Sequence, residues 1–200
     1  MKKVIKKVFL ICIIIIACFA YAHIDKLTYI YDKEIDTSEF VNTGIIENTT
    51  ITQTFISNED SLDGVQTKCS VAGKVDNVQI EYELKEADSG KTVAKGSTAG
   101  SEIKNNKFNK FRFDKINNCK GKQYQIIFKE TGSDDLNGIS FYMFSKQECN
   151  QMLTVKGSNT QGTMIVRAIC HRFDMETFCV VLFFSAYIIV FLKMLYKLFD

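Results

Sequence analysis

Two long apolar segments, one near each end of the 200-residue chain, most constrain how it folds. The second runs from Thr177 to Tyr196 and carries one charge, Lys193, close to its end. A helix needs about 20 apolar residues to cross a bilayer, and a lysine near its end can extend its ammonium group to the interface. A buried core helix does not explain this run, because it has no polar face. The sequence predicts a C-terminal transmembrane helix with a short cytoplasmic tail over residues 171–200.

The first apolar segment runs from Val8 to Ala22 and follows four lysines. We predict a retained transmembrane helix, or signal anchor, over residues 1–24. Two other outcomes remain open. The segment can be cleaved after Ala22, which ends a small-x-small site, or processed at Cys18, which ends a lipobox-like Ile-Ile-Ala-Cys stretch and would then carry a lipid.

Charge is distributed unevenly along the chain. Six lysines lie at the two ends, whereas the stretch from Asp25 to Glu176 holds 19 basic and 22 acidic residues. Lysine-rich flanks remain on the cytoplasmic side, so we expect a cell-membrane protein with both termini cytoplasmic and residues 25–176 extracytoplasmic. A nucleic-acid partner is disfavoured, because such binders carry a basic excess on the folded part.

The hydropathy period between the spans is two, which is typical of half-buried strands. Turn residues separate the alternating runs, and no convincing helix occurs there. This pattern predicts a mainly β fold, an antiparallel jelly-roll-like β-sandwich over residues 48–170. Residues 25–47 are a linker or stalk, either helical or extended. The strands are expected near 50–56, 65–72, 76–85, 91–97, 108–113, 123–129 and 138–144, with a later pair at 152–155 and 163–169.

Several of these strands share a pattern with a known class of envelope domain. The pattern comprises a Gln-x-Phe strand, a Gly-initiated strand, an acidic-Gly hairpin, a Phe-x-Phe strand and a Gly-Lys-x-Tyr strand start: Gln53, Phe55, Gly64, Asp88, Gly90, Phe111, Phe113, Gly121, Lys122 and Tyr124. Over residues 48–145 the chain resembles an extracytoplasmic β-sandwich that lies between transmembrane helices in bacterial cell-envelope proteins. Some of these are large polytopic proteins linked to surface polysaccharide and glycosyl transfer. The resemblance implies a fold and a location.

Residues able to carry out chemistry are scarce. The only histidines, His23 and His171, lie at the predicted membrane boundaries, and no recognisable metal or nucleophile motif occurs. We therefore expect a protein that is not an enzyme and that needs no cofactor. The acidic pair Asp134 and Asp135 is a candidate Ca²⁺ site, although such residues more often cap turns.

Tyr142 and Phe144 are candidate binding residues. They lie on the strand face opposite Ile139, Phe141 and Met143, where polar residues are expected. This arrangement suits an aromatic platform for a sugar, and it equally suits a strand buried on both faces.

Four of the seven cysteines lie between the spans and allow three pairings. We prefer a Cys69–Cys119 disulfide, because both residues belong to the predicted sandwich. Cys149 and Cys170 would then link the C-terminal hairpin.

The function that fits these features is a membrane-anchored extracytoplasmic binding or accessory module of the bacterial cell envelope. Its partners would be the lipid bilayer and a cell-surface glycan or a polytopic membrane protein. One alternative is a structural subunit whose second span packs on a partner helix through Cys179, Ser185 and Ala186. The other is a glycan-active enzyme that uses Asp134 or Asp135.

Overall fold

A computed structural model describes residues 2–147 and 151–199, without the side chains of residues 2–4 and 7. The chain divides into two compact units. One comprises Met1–Lys26 with His171–Asp200, and the other comprises Leu27–Cys170.

Thirteen strands lie between two helices in the described residues, with short 3₁₀ helices at Thr37–Glu39 and Gly100–Glu102. In chain order the elements are α1 (Lys2–Tyr21), β1 (His23–Tyr29), β2 (Val41–Ile45), β3 (Thr50–Ile56), β4 (Ser61–Ala72), β5 (Gln79–Glu86), β6 (Thr92–Ala99), β7 (Lys107–Asn117), β8 (Gln123–Thr131), β9 (Gly138–Phe144), β10 (Leu153–Val155), β11 (Ser158–Thr160), β12 (Thr163–Met164), β13 (Val166–Phe173) and α2 (Met175–Phe199).

The strands form two antiparallel sheets, and the prediction of a mainly β fold is confirmed. The seven-stranded sheet has the order β1-β13-β4-β9-β12, with β7 beside β4 and β2 beside β9. The six-stranded sheet has the order β11-β10-β3-β8-β5-β6. The chain passes from one sheet to the other after most strands, so each sheet is built from segments distant in sequence.

The predicted strands agree closely with the observed ones, and two of them, 50–56 and 138–144, have the same bounds. The main differences are extensions, because β4 begins at Ser61 and β7 continues to Asn117. Of the two conformations expected for residues 25–47, helical or extended, the structure shows the extended one. The segment contains most of β1, all of β2 and one 3₁₀ turn.

An aromatic contact joins the inner faces of the two sheets. Phe128 of the six-stranded sheet lies 4.8 Å from Phe111 and 5.0 Å from Phe141, both of the seven-stranded sheet, between ring centroids. Such offset or edge-to-face pairs are favourable beyond the area they bury. The Tyr82 hydroxyl also donates to the Arg112 carbonyl across the two sheets, over 2.6 Å. All four aromatic rings are buried in one core.

Gly64 allows β4 to approach β7 closely. Its φ is +151°, and a Cβ atom built there would lie 2.6 Å from the Phe111 carbonyl oxygen. The pairing register between the two strands shifts between Leu62 and Gly64. A bulge of this kind needs a residue without a side chain, which explains the glycine in the sequence pattern.

Gln53 connects the sheets by hydrogen bonds in the interior. Its side chain is fully buried, and its Oε1 accepts the Met164 backbone N–H over 2.9 Å. Its Nε2 donates to the Thr54 carbonyl over 2.9 Å and to Gln151 Oε1 over 3.2 Å. Because Met164 belongs to β12 and Gln53 to β3, this amide joins the two sheets near the C-terminal strands.

The unit formed by the chain ends contains both helices. Within the described residues, α2 is the one helix long and apolar enough to cross a membrane, whereas the apolar part of α1, Val8–Tyr21, is shorter. Near the end of α1, the Ala22 carbonyl accepts the Asp174 N–H over 2.8 Å. The Asp174 carboxylate caps α2 by accepting the Thr177 hydroxyl over 2.6 Å and the Thr177 N–H over 2.9 Å. These bonds hold the pKa of Asp174 below its usual value.

We expect Gln53→Leu to destabilise the fold by about 2 kcal/mol, because it leaves the buried Met164 N–H without an acceptor. Urea unfolding of the full chain in detergent, followed by tyrosine fluorescence, measures this loss. Gln125→Leu is the matched control, because Gln125 is half-buried on β8 and should change stability by less than about 0.5 kcal/mol. Equal effects of the two substitutions would contradict the role assigned to Gln53.

Candidate functional site

An open groove of about 640 Å³ crosses the outer face of the six-stranded sheet. Side chains from four neighbouring strands line it, and the strand register arranges them in two transverse rows. One row contains Lys95, Glu83 and Ile127. The other contains Ser97, Glu81, Lys129 and Thr50. The groove spans three strand spacings, about 14 Å, which is wide enough for an extended chain to lie across the strands.

Charges within the groove differ in how they are held. Glu83 is fixed by Lys85, whose Nζ lies 2.8 Å from its Oε1, and by the Thr92 hydroxyl, which donates to Oε2 over 3.1 Å. The Lys85 ammonium group in particular lowers the pKa of Glu83. Among the described residues, Glu81, Lys95 and Lys129 have no ion-pair partner within 4.0 Å. The groove therefore presents two ammonium groups and one carboxylate outside any ion pair, and Lys95 lies near enough to Glu83 to help lower the pKa of that carboxyl group.

Gly96 brings the edge strand β6 close to the core. A Cβ atom at this position would lie 2.5 Å from the Tyr82 ring, so any side chain would displace either this buried ring or β6 itself. Tyr82 itself is buried and points inward to Phe111. The groove wall at Lys95 and Ser97 therefore depends on the glycine between them.

Tyr142 and Phe144, the predicted binding residues, belong to a small aromatic cluster on the outer face of the seven-stranded sheet. Phe144 is only 2% exposed and packs with Tyr31 and Ile165. Tyr142 is half-buried, and the Lys68 ammonium nitrogen lies 4.6 Å from its ring centroid. The second interpretation, a strand buried on both faces, describes β9, and Phe144 has no exposed ring face to offer a sugar.

Asp134 uses its carboxylate to shape a turn. It accepts the backbone N–H groups of Leu136 and Asn137 over 2.9 and 2.7 Å and the Asn137 side-chain amide over 3.0 Å. These hydrogen bonds lower the pKa of Asp134, and the bond from the Asn137 side-chain amide contributes most. Asp135 is exposed beside it. Over residues 2–147 and 151–199, no three His, Cys, Asp or Glu side chains are grouped so as to hold a metal. The calcium site stays a prediction, while turn capping accounts for Asp134.

The predicted Cys69–Cys119 disulfide is wrong for this fold, because both residues are buried free thiols. Cys69 lies on β4, whereas the Cys119 N–H donates to the Asp60 carbonyl just before that strand. About 30 Å therefore separate the two positions along β4, and a disulfide needs Cα atoms within about 7 Å. Burial raises the pKa of the Cys69 thiol to about 12.

The structure describes only one cysteine of the second predicted disulfide, Cys149–Cys170. Cys149 lies outside the described residues. Cys170 is a buried free thiol, and its Sγ lies 3.2 Å from the Ser61 hydroxyl oxygen. The Cys149–Cys170 link stays a prediction.

Cys18, the alternative lipidation site, lies within α1. It is 2% exposed, and its Sγ is 4.0 Å from the Ser185 hydroxyl oxygen of α2. Ser185 also donates to the Val181 carbonyl over 2.8 Å. Ser185, one residue of the small-residue patch predicted to contact a foreign helix, is thus in contact with α1. Lipidation of Cys18 stays a prediction.

Glu130 is a buried carboxyl group that we did not single out from the sequence. Its side chain is fully buried, and its Oε1 accepts the Ile139 N–H over 2.6 Å. Its Oε2 has no hydrogen-bond partner in the described part of the chain. Burial raises the pKa of Glu130 above its usual value, although the Ile139 N–H opposes the rise. The sequence contained a signal for its burial. Alternate residues of β8 point inward (Tyr124, Ile126 and Phe128), and residue 130 is the next position on the same face.

Comparisons with known proteins find only distant likenesses. No family model matches the chain, and no curated protein matches it. A clostridial cysteine protease, Cwp84 after propeptide cleavage, is 11% identical with a TM-score of 0.45. The match covers 72% of this chain and 39% of the protease. A xylan-binding module, CBM15, is 10% identical with a TM-score of 0.34, and the match covers 74% of this chain and 97% of the module. Likenesses this weak say nothing about activity.

We expect Glu130→Gln to remove a pH dependence of stability. The folded carboxyl binds a proton at a higher pH than the unfolded one, so the wild-type free energy of unfolding decreases as pH rises from about 4.5 through the raised pKa. The neutral amide of Glu130→Gln has no such loss. The melting temperature of the variant minus that of wild type should therefore be larger at pH 8 than at pH 4. Melting curves of both chains across this range test the prediction, with Glu81→Gln in the exposed groove as control. Parallel curves for wild type and Glu130→Gln would refute it.

Proposed function

We propose that this chain is a membrane-anchored, extracytoplasmic binding module of the bacterial cell envelope, built on a jelly-roll-like β-sandwich. The groove across the outer face of the six-stranded sheet carries the proposal. It is open to solvent, spans four strands and is lined mainly by hydroxyl and charged groups, as suits an extended, hydroxyl-rich polymer such as a glycan.

The two helices support the membrane part of the proposal. Their large apolar side chains are mostly exposed within their own unit, as lipid-facing side chains would be: examples are Phe9, Ile16, Phe183 and Leu192. The end of α1 lies beside the start of α2, so the lysine-bearing ends of both helices point the same way. In this proposal α1 is retained as a short second span with its lysines at the cytoplasmic surface.

A binding role is preferred to the two alternatives. An enzyme acting through Asp134 would need a carboxylate free of other partners, and this one is engaged in a turn. A structural subunit would need the small-residue patch of α2, and Ser185 of that patch contacts Cys18. The groove has no such internal occupant among the described residues. The resemblance to envelope sandwich domains remains part of the proposal.

We expect Ser97→Trp to abolish glycan binding, because an indole at this position fills the groove. Co-sedimentation of the full chain, in detergent micelles, with insoluble bacterial cell-wall polysaccharide measures the loss. The matched control is Ser158→Trp, an exposed strand serine of the same sheet outside the groove, which should bind like wild type. Unchanged binding by Ser97→Trp, or no binding by wild type, would contradict the proposal.

We expect a cysteine introduced as Asp88→Cys to react with a membrane-impermeant maleimide in intact cells. Asp88 lies in the exposed β5–β6 turn, and the native Cys69, Cys119 and Cys170 are buried, which limits the background labelling from these three thiols. Leu198→Cys is the control and should react only after the membrane is permeabilised. Protection of position 88 in intact cells, or labelling of position 198 there, would overturn the proposed orientation.

A further inference from the structure

The free charges in the groove indicate which polymers it would accept. Glu83 is held by Lys85 and Thr92, so its carboxylate is already satisfied. Lys95 and Lys129 form no ion pair within 4.0 Å among the described residues, although Lys95 lies opposite Glu83 and interacts with it at longer range, and Glu81 is the one groove carboxylate without an ion pair there. The groups available to a ligand therefore carry a net positive charge.

The two lysines are placed along the groove rather than at one point. Lys95 lies on β6 in one row, and Lys129 lies two strands away on β8 in the other row. Strand spacing and rise place their Cα atoms about 12 Å apart, diagonally across the groove. An extended chain crossing the strands would meet both ammonium groups in turn, with the Thr50 and Ser97 hydroxyls beside its path.

Ring stacking is not available on the groove surface. The one aromatic lining residue, Tyr82, is 7% exposed and turns its ring into the core, which leaves Ile127 as the apolar contact. Neutral glycans are commonly held by aromatic faces, so this groove must rely on hydrogen bonds and charge. Ammonium groups form charge-assisted hydrogen bonds with carboxylates and phosphates.

We propose that the groove binds an anionic, hydroxyl-rich linear polymer, with Lys95 and Lys129 each engaging an acidic group along the chain. This inference rests on the proposed binding function and adds the class of ligand. A sugar carboxylate and a polyol phosphodiester offer the same chemistry to the two lysines, so the test includes both.

Binding is measured with the full chain in nanodiscs of neutral lipid, by calorimetry at low and at moderate salt. The probes are oligogalacturonate, which carries carboxylates, its methyl-esterified form, which has the same backbone without charge, and polyglycerol phosphate. We expect oligogalacturonate, polyglycerol phosphate or both to bind more tightly than the ester, with an affinity that decreases as salt rises. The probe that binds identifies the source of the acidic group.

The decisive variant is Lys95→Gln with Lys129→Gln. Its Kd for the acidic probe should rise about tenfold or more, the loss expected for one charge-assisted hydrogen bond. The matched control is Lys104→Gln with Lys120→Gln, which removes the same charge at exposed positions outside the groove. Glu81→Gln should bind the acidic probe more tightly than wild type, because it removes the one repelling carboxylate.

Each other outcome has a distinct meaning. Equal affinity for the acid and its ester, with no effect of the groove lysines, would overturn this inference and leave the binding function standing. An equal loss in the control variant would also overturn it, because net charge alone would then explain the binding. Absence of binding to all three probes, together with absence of binding to cell-wall polysaccharide, would reject the inference and the proposed function together.

Discussion

The contact of Phe128 with Phe111 and Phe141 is the interaction on which the rest of the folded unit depends. Phe128 and Phe141 come from interior strands of their sheets, Phe111 comes from β7 at the side of β4, and all three rings are fully buried. Because side chains alternate along a strand, fixing these rings inward also fixes which residues of β7, β8 and β9 point outward. A register shift of one residue would expose the rings and bury the charged side chains of the groove.

The two outer faces left by this arrangement are used differently. On the seven-stranded sheet, the segment containing Tyr31 and Phe40 covers β9, and the Lys68 ammonium nitrogen lies 5.3 Å from the ring centroid of Phe40. Cation–π contacts of this kind tie the cover down. On the six-stranded sheet no such cover exists among the described residues, and the groove stays open to solvent. A ligand therefore has access to one face and meets a packed surface on the other.

The strands could be predicted from the sequence because alternation is a local signal. The groove could not, because its rows combine Thr50, Glu81, Lys95 and Lys129, which only the cross-strand register places together. The same limit explains the mistaken Cys69–Cys119 pairing. Both residues lie in strand segments that were correctly located, but pairing depends on position along β4, which the sequence pattern does not reveal. The sequence allows two interpretations of Asp134, a calcium ligand and a turn cap, because turn capping is as local a signal as alternation.

The residues that stabilise the fold and the residues proposed to bind a ligand are different ones, and this separation supports the groove as the proposed binding site. The stabilising contacts lie inside, in the aromatic core and the Gln53 hydrogen bonds, where removing a group costs up to several kcal/mol. Exposed charges on a sheet contribute little to stability, about 0–1 kcal/mol each even when paired. Substitution of Lys95 or Lys129 should therefore change the free energy of unfolding only slightly. In the proposed function, the ligand determines the identity of these two residues, and the sheet that carries them does not.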